Sequence, residues 1–154
     1  MLKINDKIPN FEILTDKGEF KLSNHLGKKI VVFFFPKADT SGCTAESIAF
    51  TNLQKKFDQL NCIVIGISKD NIKKQAKFRE KYNLTCELGA DFENNVCEQF
   101  GVWVEKSMYG RKYMGIQRTT FLCDEKGIII NVWEKVKVPG HADEVLAVVK
   151  KNSM

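Results

Sequence analysis

No two of the five cysteines are separated by only two residues, so the chain lacks the CxxC redox pair and the paired spacing of a zinc ribbon. Their number is odd and the gaps between Cys43, Cys62, Cys86, Cys97 and Cys123 are irregular, which speaks against a disulfide framework. His25 and His141 stand alone and carry no signal for a metal site or a catalytic triad. The opening Met1-Leu2-Lys3-Ile4-Asn5-Asp6-Lys7 has no apolar h-region of a signal peptide. No apolar run approaches the ~20 residues of a membrane span. Internal repeats, low-complexity segments and linkers are also missing. These absences predict a cytoplasmic protein with mostly free thiols, no membrane association and no metal. The net charge is +5, but basic and acidic residues are interspersed, and no nucleic-acid motif occurs. The densest basic-aromatic stretch, Tyr109-Gly110-Arg111-Lys112-Tyr113, reads as a solvated loop or edge strand. Nucleic acid is not an expected partner.

What is present fits one domain over residues 1–154, long enough for a real core. Phe11 to Leu14 and Glu19 to Leu22 flank Thr15-Asp16-Lys17-Gly18 and predict an N-terminal hairpin. Ile30 to Phe35 is a continuous apolar run, as expected of a strand buried on both faces. From Thr44 to about Leu60, apolar residues recur at helical spacing. Cys62 to Ile67 predicts a second buried strand, and Ile72 to Tyr82 a polar-rich helix. Leu84, Cys86 and Leu88 alternate as in a short strand. Glu93 to Phe100 predicts a short helix. Thr119 to Cys123 and Ile128 to Trp133 predict strands joined by a hairpin turn at Asp124-Glu125-Lys126-Gly127. Ala142 to Lys150 closes the chain as a helix. Early strand–helix alternation implies parallel strands, and the late hairpin adds antiparallel ones. The expected class is α/β: a thioredoxin-like mixed central sheet flanked by helices, with an N-terminal β-hairpin extension.

Cys43 holds the most informative position. It lies in Phe35-Pro36-Lys37-Ala38-Asp39-Thr40-Ser41-Gly42-Cys43, between a buried strand and a helix. Backbone N–H groups and the helix dipole favour negative charge there. A thiol attacks as its thiolate, and a helix N-terminus is one of the few places that favours that form. The plainer use of such a cysteine is as a small apolar core residue, but Ser41-Gly42 at a helix start makes a core role less natural. Thr40 offers a helix cap contributing about 1 kcal/mol, or a hydroxyl for a substrate oxygen. Pro36 ends the strand for want of an N–H, or shields the thiolate from water. Glu46, one helical turn beyond Cys43, is a first-turn acid or a carboxylate that holds an arginine. Arg118, just before the Thr119 strand, is that arginine if it turns inward, where a permanent cation would favour the thiolate and hold a polar oxygen. Gly42 supports the turn. Trp103 is read as a core aromatic.

These pieces together resemble the peroxiredoxins. Pro36-x-x-x-Thr40-x-x-Cys43 matches their active-site motif. Leu26-Gly27, Thr44-x-Glu46, Gly66-Ile67-Ser68 and Gly115-Ile116-x-Arg118-Thr119-Thr120-Phe121-Leu122 resemble the Q-type branch, also called bacterioferritin comigratory protein, and the likeness runs from about Lys7 to Val149. The resemblance implies a thiol-dependent peroxidase that reduces hydrogen peroxide and organic hydroperoxides. Cys43 would become a sulfenic acid, with Thr40, Arg118 and its own backbone N–H stabilising charge as the O–O bond breaks. Thioredoxin or another thiol would be the reductant. No cofactor is implied, and members of the branch are often monomers.

The match departs at the resolving cysteine. The position five residues after Cys43 is Ile48, and the helix Ile72 to Tyr82 has no cysteine. Cys62 and Cys123 are expected to be buried in strands, Cys86 in the core, and Cys97 only partly buried. A single-cysteine cycle is therefore expected, with an atypical disulfide to Cys86 or Cys97 as the alternative. A thioredoxin-type thiol–disulfide oxidoreductase is disfavoured, because Glu46 stands where that chemistry needs a second cysteine. A non-catalytic binding or chaperone-like protein would leave Cys43 incidental.

Overall fold

A computed structural model describes residues 1–153. The N-terminal hairpin pairs β1 (Glu12–Thr15) with β2 (Gly18–Lys21), turning at Gly18 with φ +117. β3 (Lys29–Phe34) is buried along its whole length, as its apolar run demands. α1 (Ser41–Asn52), α2 (Gln54–Gln59), β4 (Cys62–Ser68), α3 (Ile72–Tyr82), β5 (Glu87–Ala90) and α4 (Val96–Phe100) follow. Then come β6 (Trp103–Met108), β7 (Arg111–Ile116), β8 (Thr119–Cys123), β9 (Ile129–Trp133) and α5 (His141–Lys151).

Seven strands form one mixed sheet in the order β2-β1-β5-β4-β3-β8-β9. β5, β4 and β3 run parallel to one another, while β1 runs antiparallel to β5, β8 to β3 and β9 to β8. The sheet separates two cores. On one face Val31, Phe33 and Phe35 meet residues of α1, α2, α3 and α5, with Cys43 among them. On the other, Ile30, Val32 and Phe34 meet Phe11, Phe100 and Phe121, with Cys97 among them. The expected mixed sheet flanked by helices is what forms, with four helices on one face and α4 on the other.

The predicted helix from Thr44 to Leu60 is two helices. At Leu53 the backbone leaves the helical region (φ −102, ψ 6) and its N–H bonds back to the Phe50 carbonyl at 3.1 Å. The break lets Phe57 stay buried with its ring 6.0 Å from that of Phe50 while α2 packs on β4. The predicted short helix from Glu93 begins only at Val96, because the Asp91 carboxylate accepts the N–H groups of Val96 and Cys97 at 3.1 and 2.8 Å. Of the β6–β7 hairpin only the stretch Tyr109 to Tyr113, read as a solvated loop or edge strand, has a counterpart above: it forms the turn and the exposed start of β7. Its turn is Tyr109-Gly110, with φ +52 and +77, the geometry that suits a two-residue hairpin.

Candidate active site

β8 runs antiparallel to β3 with Thr119 opposite Phe34, so Arg118 emerges at the C-terminal end of β3. The same end launches the 35–40 loop and then α1. The topology thus brings together two segments that lie far apart in the chain. Gly66 of β4 helps to seat α1 here. A side chain at Gly66 would lie 2.5 Å from the Phe33 ring, and that ring stacks on Phe50 of α1 at 4.5 Å.

Cys43 sits in the first turn of α1, where backbone N–H groups have no intrahelical partner. It is only 1% exposed. Arg118 Nη2 donates to its sulfur at 3.3 Å, and Nη1 donates to Glu46 Oε1 at 2.8 Å. One guanidinium fork therefore spans the thiol and a carboxylate one helical turn further on. Gly42 makes room for it, since a Cβ there would lie 3.2 Å from Nη2. Glu46 is also 1% exposed, and its Oε2 has no hydrogen-bond partner. Burial pushes its carboxyl from the ordinary 4.5 up to about 7, against the pull of Arg118.

Thr40 occupies the cap position, but its side chain caps nothing. Its hydroxyl donates to the Lys37 carbonyl at 2.8 Å, closing the loop on itself. Pro36 is exposed and ends the β3 run. Two residues outside the expected set hold this loop. Asp70 Oδ2 accepts the Ala38 N–H and the Ser68 hydroxyl, both at 2.7 Å, and Gln75 secures Ser68 at 3.0 Å. Asp39, with a left-handed backbone (φ +61), accepts from Tyr82 at 2.5 Å and Lys81 at 2.9 Å. The loop is thereby tied to both ends of α3. Ser68 closes the Gly66-Ile67-Ser68 segment, which is the one trace of this network in the sequence.

The other four thiols are buried. Burial pushes Cys62 and Cys123 up to about 12 and Cys86 up to about 11. Burial and the Asp91 carboxylate raise Cys97 further still. The expected partial exposure of Cys97 does not occur: it is 0% exposed, on the buried face of α4. It also lies in the core opposite the one that holds Cys43. Trp103 is partly buried against that opposite core, with Lys69 Nζ 5.2 Å from its ring. Among the described residues no cluster of His, Cys, Asp and Glu could hold a metal ion.

Residues 4–132 match the AhpC/TSA family. The chain is 47% identical to a putative peroxiredoxin bcp of Coxiella burnetii over 146 residues, covering 94% of this chain and 97% of that one. It is 43% identical to the peroxiredoxin Bcp of Bacillus subtilis over 153 residues, 99% of this chain and 98% of that one. The fold matches that of the Xanthomonas campestris bacterioferritin comigratory protein with a TM-score of 0.92 and 34% identity, covering 99% of this chain and 100% of that one. The chain belongs to the AhpC/TSA family, within its Bcp peroxiredoxins, and is a thiol-dependent peroxidase.

Proposed function

We propose that Cys43 is the sulfur that reduces the hydroperoxide and that it works in a single-cysteine cycle. The thiolate attacks the terminal peroxide oxygen. The S–O bond forms as the O–O bond breaks, the sulfur gives up two electrons, and the leaving oxygen departs as water or alcohol once protonated. Arg118 and the free N–H groups of the first α1 turn face the charge that develops in this step. Glu46 and Gly42 position Arg118. Thr40 and Pro36 complete the loop, and the Thr40 hydroxyl turns from Lys37 to the substrate when the site is filled.

The observation that carries this reading is the 3.3 Å contact between Arg118 Nη2 and Cys43 Sγ, beside four thiols that burial holds protonated. An external thiol, thioredoxin or a small one, then reduces the sulfenic acid. The sheet between Cys43 and Cys97, and the burial of Cys86, support this over an internal disulfide. Hydrogen peroxide and organic hydroperoxides are the proposed substrates, with no cofactor. We place the protein in the cytoplasm on its five unpaired thiols, as a monomer formed by one domain over residues 1–154.

The test is peroxide consumption with thioredoxin, thioredoxin reductase and NADPH. The wild-type chain is expected to turn over and Cys43→Ser to be inert. Equal consumption by the two would end the proposal. Non-reducing peptide mapping after one equivalent of peroxide is expected to show no Cys43–Cys86 or Cys43–Cys97 link. Such a link formed within one turnover would replace the single-cysteine cycle.

A further inference from the structure

His141 opens α5 and is only 4% exposed, yet the chemistry at Cys43 leaves it without a part. Its Nε2 shares a 2.8 Å hydrogen bond with Oγ1 of Thr120, a buried hydroxyl of β8. Its ring meets Phe50 of α1 and Trp133 of β9 edge-on, at 6.0 and 5.8 Å between centroids. Burial, and after it the Arg118 guanidinium, holds the imidazole below the ordinary histidine range, while Glu144 pulls it the other way. The ring is therefore neutral at neutral pH. A buried imidazole bonded to a buried hydroxyl is a joint between elements, and removing either side strands the other.

That joint closes a loop onto the strand that leads to Arg118. Residues 134–140 leave β9 at Trp133, which stands opposite Thr120 in the β8–β9 ladder. They return at His141, on the side chain of the same Thr120. Gly140 makes the return with φ +77, and the His141 N–H donates to the Val138 carbonyl at 3.1 Å. In the middle of the loop, the Val136 N–H donates to the Arg118 carbonyl at 3.0 Å. Arg118 depends on this grip, because the β3–β8 ladder starts only at Thr119 and leaves the arginine's own peptide beyond the last strand pair. Arg118 comes two residues before Thr120, so an extended chain sends both side chains to one face. There Thr120 meets α5 at His141, and Arg118 meets α1 at Cys43 and Glu46.

We propose that His141 is a positioning residue for hydroperoxide reduction: its bond to Thr120 holds the 134–140 loop closed, and that loop fixes the backbone of the arginine that meets the sulfur. The inference rests on the assignment of Cys43 and Arg118 to the reaction. His141 acts through Arg118 and moves no proton. Opening the joint frees Val136 and lets the guanidinium fork drift from its place between Cys43 Sγ and Glu46 Oε1. A drift of about 1 Å is enough to cost an order of magnitude or more in rate.

The test is the second-order rate constant for hydrogen peroxide, by stopped-flow oxidation of the reduced full chain, with urea melts alongside. His141→Phe keeps a ring against Phe50 and Trp133 without the bond, and Thr120→Val keeps the size of the strand side chain without its hydroxyl. Each is expected to lower the rate constant about tenfold, and the two together no more than either alone. His141→Gln, whose amide nitrogen stands as many bonds from the backbone as Nε2, keeps the wild-type rate. In an Arg118→Ala chain neither His141→Phe nor Thr120→Val slows the reaction further. That readout separates positioning from plain support, because a general loss of stability would not depend on Arg118. A wild-type rate in His141→Phe or Thr120→Val overturns the proposal. So does equal slowing with and without Arg118, or His141→Gln as slow as His141→Phe. If His141→Phe does not fold, Thr120→Val and its dependence on Arg118 decide alone. A wild-type chain that consumes no peroxide overturns the reading of Cys43 and this one with it, whereas turnover indifferent to these variants overturns only the role of His141.

Discussion

Arg118 reaches sulfur with one nitrogen and Glu46 with the other, so its substitution separates chemistry from folding. Arg118→Ala is expected to lower the second-order rate constant for hydroperoxide reduction about 100-fold, the usual cost of one preorganised donor. Its reaction with a neutral alkylating reagent at high pH should change far less. Equal slowing in the two reactions would make Arg118 structural only. Glu46 gives a pH signature. Its carboxyl is raised by burial from 4.5 to about 7, so between those values the folded chain holds a proton that the unfolded chain has lost. Stability therefore falls as pH rises through that window. Relative to Glu46→Gln, the wild type should lose stability as pH rises from about 4.5 to about 7 in urea melts. A constant difference would contradict the assignment. The meeting of Cys43 and Glu46 was legible in residue type and spacing around one helix start, and that of Arg118 in its place just before the Thr119 strand. The Thr40 hydroxyl was not, since its bond to Lys37 depends on how the loop closes.

The strands and helices that carry the site depend on two close fits. A methyl group on Gly66 would meet the Phe33 ring at 2.5 Å. Gly66→Ala should therefore destabilise the fold by about 1–3 kcal/mol through overpacking, read as a lower urea midpoint with unchanged slope. Asp70→Ala strands the Ala38 N–H and the buried Ser68 hydroxyl, which should cost about 1–3 kcal/mol and slow peroxide reduction as the 35–40 loop loosens. A variant that loses stability with its rate intact would show that the loop needs no such anchor. The strong apolar run of β3 is buried throughout as predicted, and the polar-rich α3 spans Ile72–Tyr82 as predicted. The split at Leu53 was not readable, because the apolar spacing continues smoothly across it while tertiary packing decides the break. Beyond the stretch Tyr109 to Tyr113, the β6–β7 hairpin was not anticipated, because most of its residues are exposed and show no buried alternation. The Tyr109-Gly110 turn was its one signal.

At the scale of the molecule, the central sheet is a wall between thiols. Cys43, on α1, lies in the core that holds Phe33 and Phe50, and Cys97, on α4, in the one that holds Phe34 and Phe121. Cys97→Ala should leave the number of turnovers per peroxide consumed unchanged, since no disulfide forms across the sheet. Loss of turnover with a neutral reductant would contradict this. The fold class was legible from the order of elements, whereas the placement of four helices on one face was not, because periodicity shows that a helix has an apolar side but not which sheet face it covers. The central claim is that one sulfur of five meets the oxidant. Mass spectrometry after brief exposure to substoichiometric hydroperoxide at neutral pH, with a sulfenic-acid trap present, tests it most directly. The trap is expected on Cys43 alone, with Cys62, Cys86, Cys97 and Cys123 unlabelled. Label spread over several cysteines, or absent from Cys43, would contradict the account.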